Sequence, residues 1–547
     1  MRPERLSNFR RRKMNIPITP FMWIMALLPI IVLLILLIKF QWGATEAAPV
    51  GLMITIVTGL FLYKADIRLI AAESAKGIWN ALIILLIVWT AILMYQVSDE
   101  AKAFLVIRNG MRKLLPNELV LVLAMGWIIE SFLQGITGFG VPVAVGAPLL
   151  IGIGVQPLWA VIIPLLGQAW GNTFGTLAAA WDSLAMSANL TVGSKEYFVT
   201  AMWTAVFIAL WNFVAGFAMC WFYGKGKAIK KGFVAVILIG LIQGGGEILL
   251  SQVNTTLCNF VPACLSMIVV LFLGKTKLYG EAWEIEDSPI MNRSFTANVG
   301  EKAPEDMSLV QAFVPYFVLS ILTLVVLTVT PISNFLNQVS FGIEFPETMT
   351  AYGHVNAAST ATFKPFTHAS MFLLISALAG LVYYKQKGWI KEGGVKRIFM
   401  KSITMTMPSG ISVIGLVIMS KIMDGTGQTA VLAEGIANVL GKIYVILAPF
   451  VGMLGTFMTG SNMSSNILFG GFQVTTANLL GVEAAPVLGA QSAGGAIGSA
   501  ISPSKIILGT TTANILGSEG EVLKKLMALA MICAIAIGII AFVFVAL

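Results

Sequence analysis

Long apolar runs recur down the chain, separated by short polar stretches. Phe21–Phe40, Trp79–Val97, Phe198–Tyr223, Leu309–Val329 and Leu526–Leu547 each carry almost no charge. Their lengths meet or approach the roughly 20 residues that let a helix cross a bilayer. Strands crossing a membrane would alternate apolar and polar positions over about 10 residues, and these runs do not. The pattern predicts ordinary spans at 21–40, 47–63, 78–97, 118–132, 197–223, 233–250, 258–273, 309–330, 367–384, 402–423, 442–458 and 523–547. Segments 98–117 and 425–441 read as amphipathic helices at the membrane surface, because charged and apolar positions alternate at helical spacing. Two regions differ: 133–190 and 459–516 are apolar but crowded with Gly, Pro, Ser, Thr and Asn.

The order of these segments repeats. Thr58-Gly59-Leu60-Phe61-Leu62-Tyr63-Lys64 matches Ala379-Gly380-Leu381-Val382-Tyr383-Tyr384-Lys385. Further on, Asp99 aligns with Asp424, Gly135 with Gly460, Gln168 with Gln491, Gly171 with Gly494 and Gly175 with Gly498. The chain therefore divides into a basic N-terminus (1–20), a first repeat (21–223), two connecting spans with a hydrophilic loop (224–308) and a second repeat (309–547). The predicted class is an all-α polytopic membrane protein with two structural repeats, each holding a re-entrant hairpin and a broken transmembrane helix. Counting segments puts eight spans between equivalent points, which makes the repeats parallel.

Composition agrees with lipid as the solvent: 57% of the 547 residues are hydrophobic and 11% charged, against about 25% charged in soluble domains. The net charge of +9 comes from cations in short loops, Arg10-Arg11-Arg12-Lys13, Lys225 to Lys231 and Lys385 to Lys401. That placement follows the positive-inside rule and puts these loops and the N-terminus in the cytoplasm, in a plasma or inner membrane. It gives no reason to expect nucleic acid as a partner. Cys220, Cys258, Cys264 and Cys533 lack metal-ligand spacing, and His354 and His368 sit in or beside the 331–367 loop. Neither a metal, a cofactor nor a catalytic triad is expected.

Candidate chemistry lies in the two polar-interrupted regions, since a broken helix frees amides and carbonyls that only a polar cavity tolerates. In the first half Gly135, Thr137, Gly138 and Gly140 precede Pro142; in the second, Thr459, Ser461, Asn462, Ser464, Ser465 and Asn466 follow Met458. Hydroxyls, amides and helix N-termini at such a turn suit a carboxylate, although the second string also reads as an extramembrane loop. A later break carries Gln168, Asn172 and Thr173, and its counterpart carries Gln491 and Ser492; the glycines between them would also allow close helix packing. Lys505 is the one cation between 443 and 517 and aligns with Asp182. Intramembrane charges are costly and usually functional. Lys505 is the candidate for holding an anion, and Glu130 and Asp182 are the candidates for carrying a proton. Each could instead reach the interface from a helix end.

At these motifs the sequence resembles the L-lactate permease family. The matching strings are Gly135–Pro148 (GITGFGVPVAVGAP), Gly167–Leu177 (GQAWGNTFGTL), Gly455–Gln473 (GTFMTGSNMSSNILFGGFQ) and Ser492–Ser504 (SAGGAIGSAISPS). The resemblance implies proton-driven transport of lactate or glycolate, inverted repeats with hairpins from opposite sides, and a transport domain moving against a scaffold. Family members generally have Asp where this chain has Asn462, and many have His at Gln168. The expectation is a secondary active symporter for a small monocarboxylate; sodium coupling or another organic anion is the alternative, and homodimer assembly is left open. A membrane-embedded transferase would show clustered His, Asp or Arg at one membrane face. A channel would more often use identical subunits around a pore, and no nucleotide-binding loop suggests a pump.

Overall fold

The computed structural model describes residues 16–40, 42–138, 140–293, 303–356 and 358–546; the basic run Arg10 to Lys13 and Phe139 fall outside them. Among the described residues, ten helices are long and apolar enough to cross a membrane. In chain order the first half comprises α1 (Pro20–Ile38), α2 (Ala44–Phe61), α3 (Ile67–Glu100), α4 (Ala103–Leu114), α5 (Glu118–Ile136), α6 (Val141–Ile151), α7 (Pro157–Ala169) and α8 (Gly175–Ser187). The helical stretch Lys195–Ser251 is broken at Gly224 and Lys225, where the backbone leaves helical geometry, into α9 (195–223) and α10 (226–251). Then come α11 (Phe260–Leu273) and α12 (Val314–Thr328). The series resumes with α13 (Ala369–Gln386), α14 (Gly394–Thr426), α15 (Gln428–Leu440), α16 (Tyr444–Thr459), α17 (Asn462–Leu480), α18 (Ala484–Gly498), α19 (Pro503–Thr512) and α20 (Glu519–Ala546).

The ends of these helices sort onto two faces. On one, the connector 274–308 ties several ends together. Glu118 N–H donates to Trp283 O at 3.0 Å, Gln156 N–H to Ile290 O at 2.8 Å and Lys231 Nζ to Leu278 O at 2.7 Å. Arg293 grips Glu118 at 2.7 Å, and Trp389 Nε1 donates to Asp306 at 2.9 Å. We term this the connector face. The opposite face carries two antiparallel strand pairs, β1 (Phe341–Phe345) with β4 (Ser359–Phe363), and β2 (Thr348–Met349) with β3 (Val355–Asn356). There Ala351 N–H donates to Lys64 O at 3.1 Å, Trp79 Nε1 to Ala361 O at 3.2 Å, and His354 Nε2 meets Asp424 O at 2.9 Å. This sheet face was expected to be plain loop.

Segment 118–132 was expected to be an ordinary span. Its helix α5 instead turns back at 137–140 into α6, and both outer ends pair with the connector, Asn117 with Trp283 and Val155 with Met291. The pair therefore enters and leaves on one face. Segment 442–458 is likewise one arm of a hairpin, α16–α17, whose outer ends approach the opposite face; Tyr444 Oη donates to Gln473 there at 2.7 Å. Removing 118–132 from the crossings leaves seven between the starts of α2 and α13: α2, α3, α7–α8, α9, α10, α11 and α12. Counted this way the crossings are odd, as the inverted arrangement implied by the family resemblance requires and the count of eight segments does not. Packing agrees, because α8 lies on α17 while α19 lies on α6.

Residue 20 begins α1 on the sheet face, where Tyr63 Oη donates to Met22 O at 2.7 Å. The Lys225–Lys231 and Lys385–Lys401 segments lie on the connector face. The start of α1 and these two basic loops therefore lie on opposite faces, while the basic run Arg10 to Lys13 falls outside the described residues. Within segment 98–117, α4 is two-faced, burying Phe104, Val106, Ile107 and Met111 and exposing Arg112 and Lys113.

Candidate functional site

Each hairpin turn is made by backbone that glycine permits. Thr137 ends α5 by donating its hydroxyl to Leu133 O at 2.8 Å. Gly138 and Gly140 then take φ of +60° and +84°, a region that side-chain-bearing residues avoid. A Cβ on Gly138 would collide with Thr176 Oγ1. In the second hairpin Gly460 takes φ +75°. Ser461 caps α17 by accepting from Ser464 N–H at 3.3 Å, and Thr459 braces the turn through its hydroxyl on Gly455 O at 2.8 Å. The capped N-terminus of α17 presents a positive dipole end at the turn.

The helix breaks face these turns. After α7, a tight turn at Trp170–Asn172 leads to Thr176, Leu177 and Ala178, with φ of 51°, 49° and 73°. Three successive left-handed residues without glycine cost roughly 1–2 kcal/mol each. In the second half α18 stops at Gly498 and α19 starts at Pro503, leaving Ser499 to Ser502 between them.

Between turns and breaks runs one polar network. Asn462 Nδ2 donates to Thr173 Oγ1 at 2.8 Å, and Thr173 meets Ser492 Oγ at 3.2 Å. Asn466 Nδ2 reaches Ala180 O at 2.9 Å and Ser492 Oγ at 3.1 Å, while Gln491 Nε2 donates to Asn466 Oδ1 at 3.2 Å. Ser465 anchors the arm to Gly452 O at 2.8 Å. Asn172 donates to Ser499 Oγ at 2.7 Å and accepts from Lys505 Nζ at 2.9 Å. Lys505 is 5% exposed and forms no ion pair with any described residue. It sits in the first turn of α19, so ammonium and helix dipole add with the same sign. The space beside it is about 30 Å³, room for one or two waters. Its lining includes Gln134, Gly138, Asn172, Thr176, Asn462 and Lys505.

The predicted residues separate into groups. Gly138, Asn172, Ser461, Asn462 and Lys505 line the cavity. Thr173, Ser465, Asn466, Gln491 and Ser492 form the network behind it, and Thr137 and Thr459 shape the turns. Ser464 lines a neighbouring cleft. Gly135 packs on Asn259, 2.9 Å from where its Cβ would stand, and Gly140 packs on Leu508. Gln168 is fully buried, and both its amide atoms lack a partner. Glu130 is fully buried against Gly146 and is not among the residues lining the cavity, and neither carboxylate oxygen is hydrogen-bonded to a described residue. Asp182 lies beyond the break on α8 and does not pair with Lys505. Sequence reasoning missed Gln134, Thr176 and Ser499. The repeat held the signal for two of them, since the register that aligns Gly175 with Gly498 also aligns Thr176 with Ser499.

This site lies where the profile of the L-lactate permease family matches, over residues 22–547. The chain belongs to the L-lactate permease family. It is 25% identical over 509 residues to the L-lactate permease of Halalkalibacterium halodurans, covering 91% of this chain and 92% of that one. The L-lactate permease of Streptococcus iniae is 27% identical over 477 residues (85% and 92%). The glycolate permease GlcA of Escherichia coli K12 is 25% identical over 558 residues (94% of each). The YdaH transporter of Alcanivorax borkumensis aligns with a TM-score of 0.47 at 14% identity, over 87% of each chain. The L-lactate permease family is one of multi-pass membrane carriers, not enzymes, and the apolar helices fit that membership.

Proposed function

We propose that this chain is a secondary active symporter that takes up a small monocarboxylate such as L-lactate or glycolate. One observation carries the reading: a buried ammonium, Lys505, without a carboxylate partner among the described residues, set between two hairpin turns and ringed by amides and hydroxyls. A buried cation without a counter-charge is costly, and a substrate carboxylate supplies one. The named substrates of the relatives support the same class. Asn172, Ser461 and Asn462 contact the anion, and Thr173, Asn466, Gln491 and Ser492 hold them in place. The cavity is small for a monocarboxylate, so the hairpin turns part to admit it.

Coupling is to protons. Glu130, a buried carboxyl that bonds to no described residue, is the first candidate for carrying the proton; Asp182, past the break, is the second. The reading also takes 21–223 and 309–547 as the two repeats, with the hairpins re-entrant from opposite sides. The connector face is cytoplasmic, because Lys225, Lys227, Lys230, Lys231, Lys387, Lys391, Lys396 and Arg397 lie on it; α1 then starts outside. Proteoliposome uptake of labelled lactate and glycolate under separate proton and sodium gradients tests this. An inward proton gradient is expected to drive accumulation. Accumulation driven by sodium alone overturns the coupling, and no accumulation overturns the substrate class.

A further inference from the structure

The geometry points to a second, hydroxyl-lined station for the carboxylate, formed by Thr45, Ser409 and Ser412 opposite the turn of the second hairpin, on the way between the connector face and Lys505. It rests on the transport reading above. A cleft of about 190 Å³ separates the start of α2 and the middle of α14 from residues 459–464 of the hairpin turn. Ser461 and Met463 line both this cleft and the cavity at Lys505. The two spaces are therefore neighbours across one turn of backbone.

Its depth follows from helix lengths. α2 runs beside α14, with Gly51 against Met419, Gly59 against Thr426 and Thr45 Oγ1 donating to Pro408 O at 3.2 Å. At 1.5 Å per residue, Ala44 lies about 27 Å from the sheet-face end of α2, and α16 carries its turn about 24 Å from that same face. Pro408, beside Thr45, is about 21 Å from the connector-face start of α14 and about 27 Å from its sheet-face end. Helix α5 carries the first turn about 28 Å from the connector face, so turn and cleft both sit near mid-depth. On the sheet-face side, α14 is bonded directly to the site-bearing helices: Ser420 Oγ donates to Ile467 O at 2.8 Å and Lys421 Nζ to Met186 O at 3.2 Å. The site is closed there and approached from the connector side.

The lining suits weak anion binding. Thr45 and Ser412 share one acceptor, Pro408 O, at 3.2 and 3.0 Å, so either can turn its proton to a passing carboxylate. Ser409 and Ser464 line the cleft with hydroxyls that hydrogen-bond to no described residue. No Lys, Arg, Asp or Glu lines it. Neutral donors alone hold an anion less firmly than a charged one, as transit requires, while Lys505 beyond them supplies the charge.

The experiment uses the full chain in sealed membrane vesicles of both orientations and a membrane-impermeant, negatively charged methanethiosulfonate. Ser409→Cys is expected to react only from the side that also labels Lys387→Cys, an exposed connector-face position. Saturating lactate is expected to slow the Ser409→Cys reaction about threefold or more by occupancy, leaving Lys387→Cys unchanged. Thr45→Val is expected to raise KM for uptake about fivefold, with the maximal rate kept. Labelling of Ser409→Cys from the other side, or at a rate lactate does not alter while the wild-type vesicles take lactate up, overturns the station and spares the transport reading. Wild-type vesicles that accumulate no monocarboxylate overturn both.

Discussion

Replacing Lys505 with Gln tests the site at its most exposed assumption. The ammonium lies 2.9 Å from Asn172 Oδ1 and 5% exposed, so solvent screens it little. A hydrogen bond to a charged group contributes about 1.5–3 kcal/mol, and truncating one partner of a buried charged pair costs about 2–5 kcal/mol. Gln keeps a donor for Asn172 but loses the charge, so a loss of about 2–4 kcal/mol in substrate stabilisation is expected. At 1.4 kcal/mol per factor of ten, kcat/KM for lactate falls about thirty- to several-hundred-fold. The fold responds in the opposite sense. An unpaired buried ammonium destabilises the empty protein, so the thermal midpoint of Lys505→Gln in detergent should equal or exceed that of wild type. The assay is initial-rate uptake by proteoliposomes matched for reconstituted protein. Uptake within about threefold of wild type refutes the role of Lys505; lost uptake with a collapsed midpoint refutes the claim that its charge serves the substrate rather than the fold.

Three further outcomes follow from the geometry. Asn462→Asp replaces the amide that donates to Thr173 at 2.8 Å with an anion beside the substrate; KM should rise about tenfold at neutral pH and recover as the medium is acidified, and a pH-independent KM contradicts the placement. Gly138→Ala puts a methyl against Thr176 at φ +60° and should cost about 1–3 kcal/mol, read as lost uptake and a lowered midpoint; wild-type behaviour would show the turn is not held as described. Glu118→Gln removes the carboxylate that Arg293 grips at 2.7 Å and that accepts from Tyr223 Oη at 2.7 Å. The ion pair is partly exposed, so about 1–2 kcal/mol of stability is expected to go, seen as a lower midpoint with KM unchanged.

The sequence carried the site's ingredients farther than its assembly. The matched strings around Gly135–Gly140, Thr459–Asn466 and the two breaks all converge in space, because α8 packs on α17 and α19 on α6. Thr176 and Ser499 were readable from the repeat, yet nothing local marks them, since a threonine after a glycine is ordinary. Glu130 and Asp182 stood out as rare intramembrane carboxylates, but rarity carries no direction. One faces Gly146 and the other lies past the break, and neither meets Lys505.

Apolar runs of bilayer length and a shortage of charge fixed this chain as a helical membrane protein, because lipid accepts few other solutions. The internal register is what leads the sequence to be read as two related halves. Whether an apolar run crosses the membrane or turns back within it was left to tertiary structure, since the mean hydropathy of α5, 1.9, falls inside the 1.2 to 3.0 range of the other long apolar helices. Its return depends on Gly138 and Gly140 adopting left-handed backbone and on both ends being held by the connector. That one hairpin changes the count of crossings from eight to seven, a consequence no window of hydrophobicity can contain.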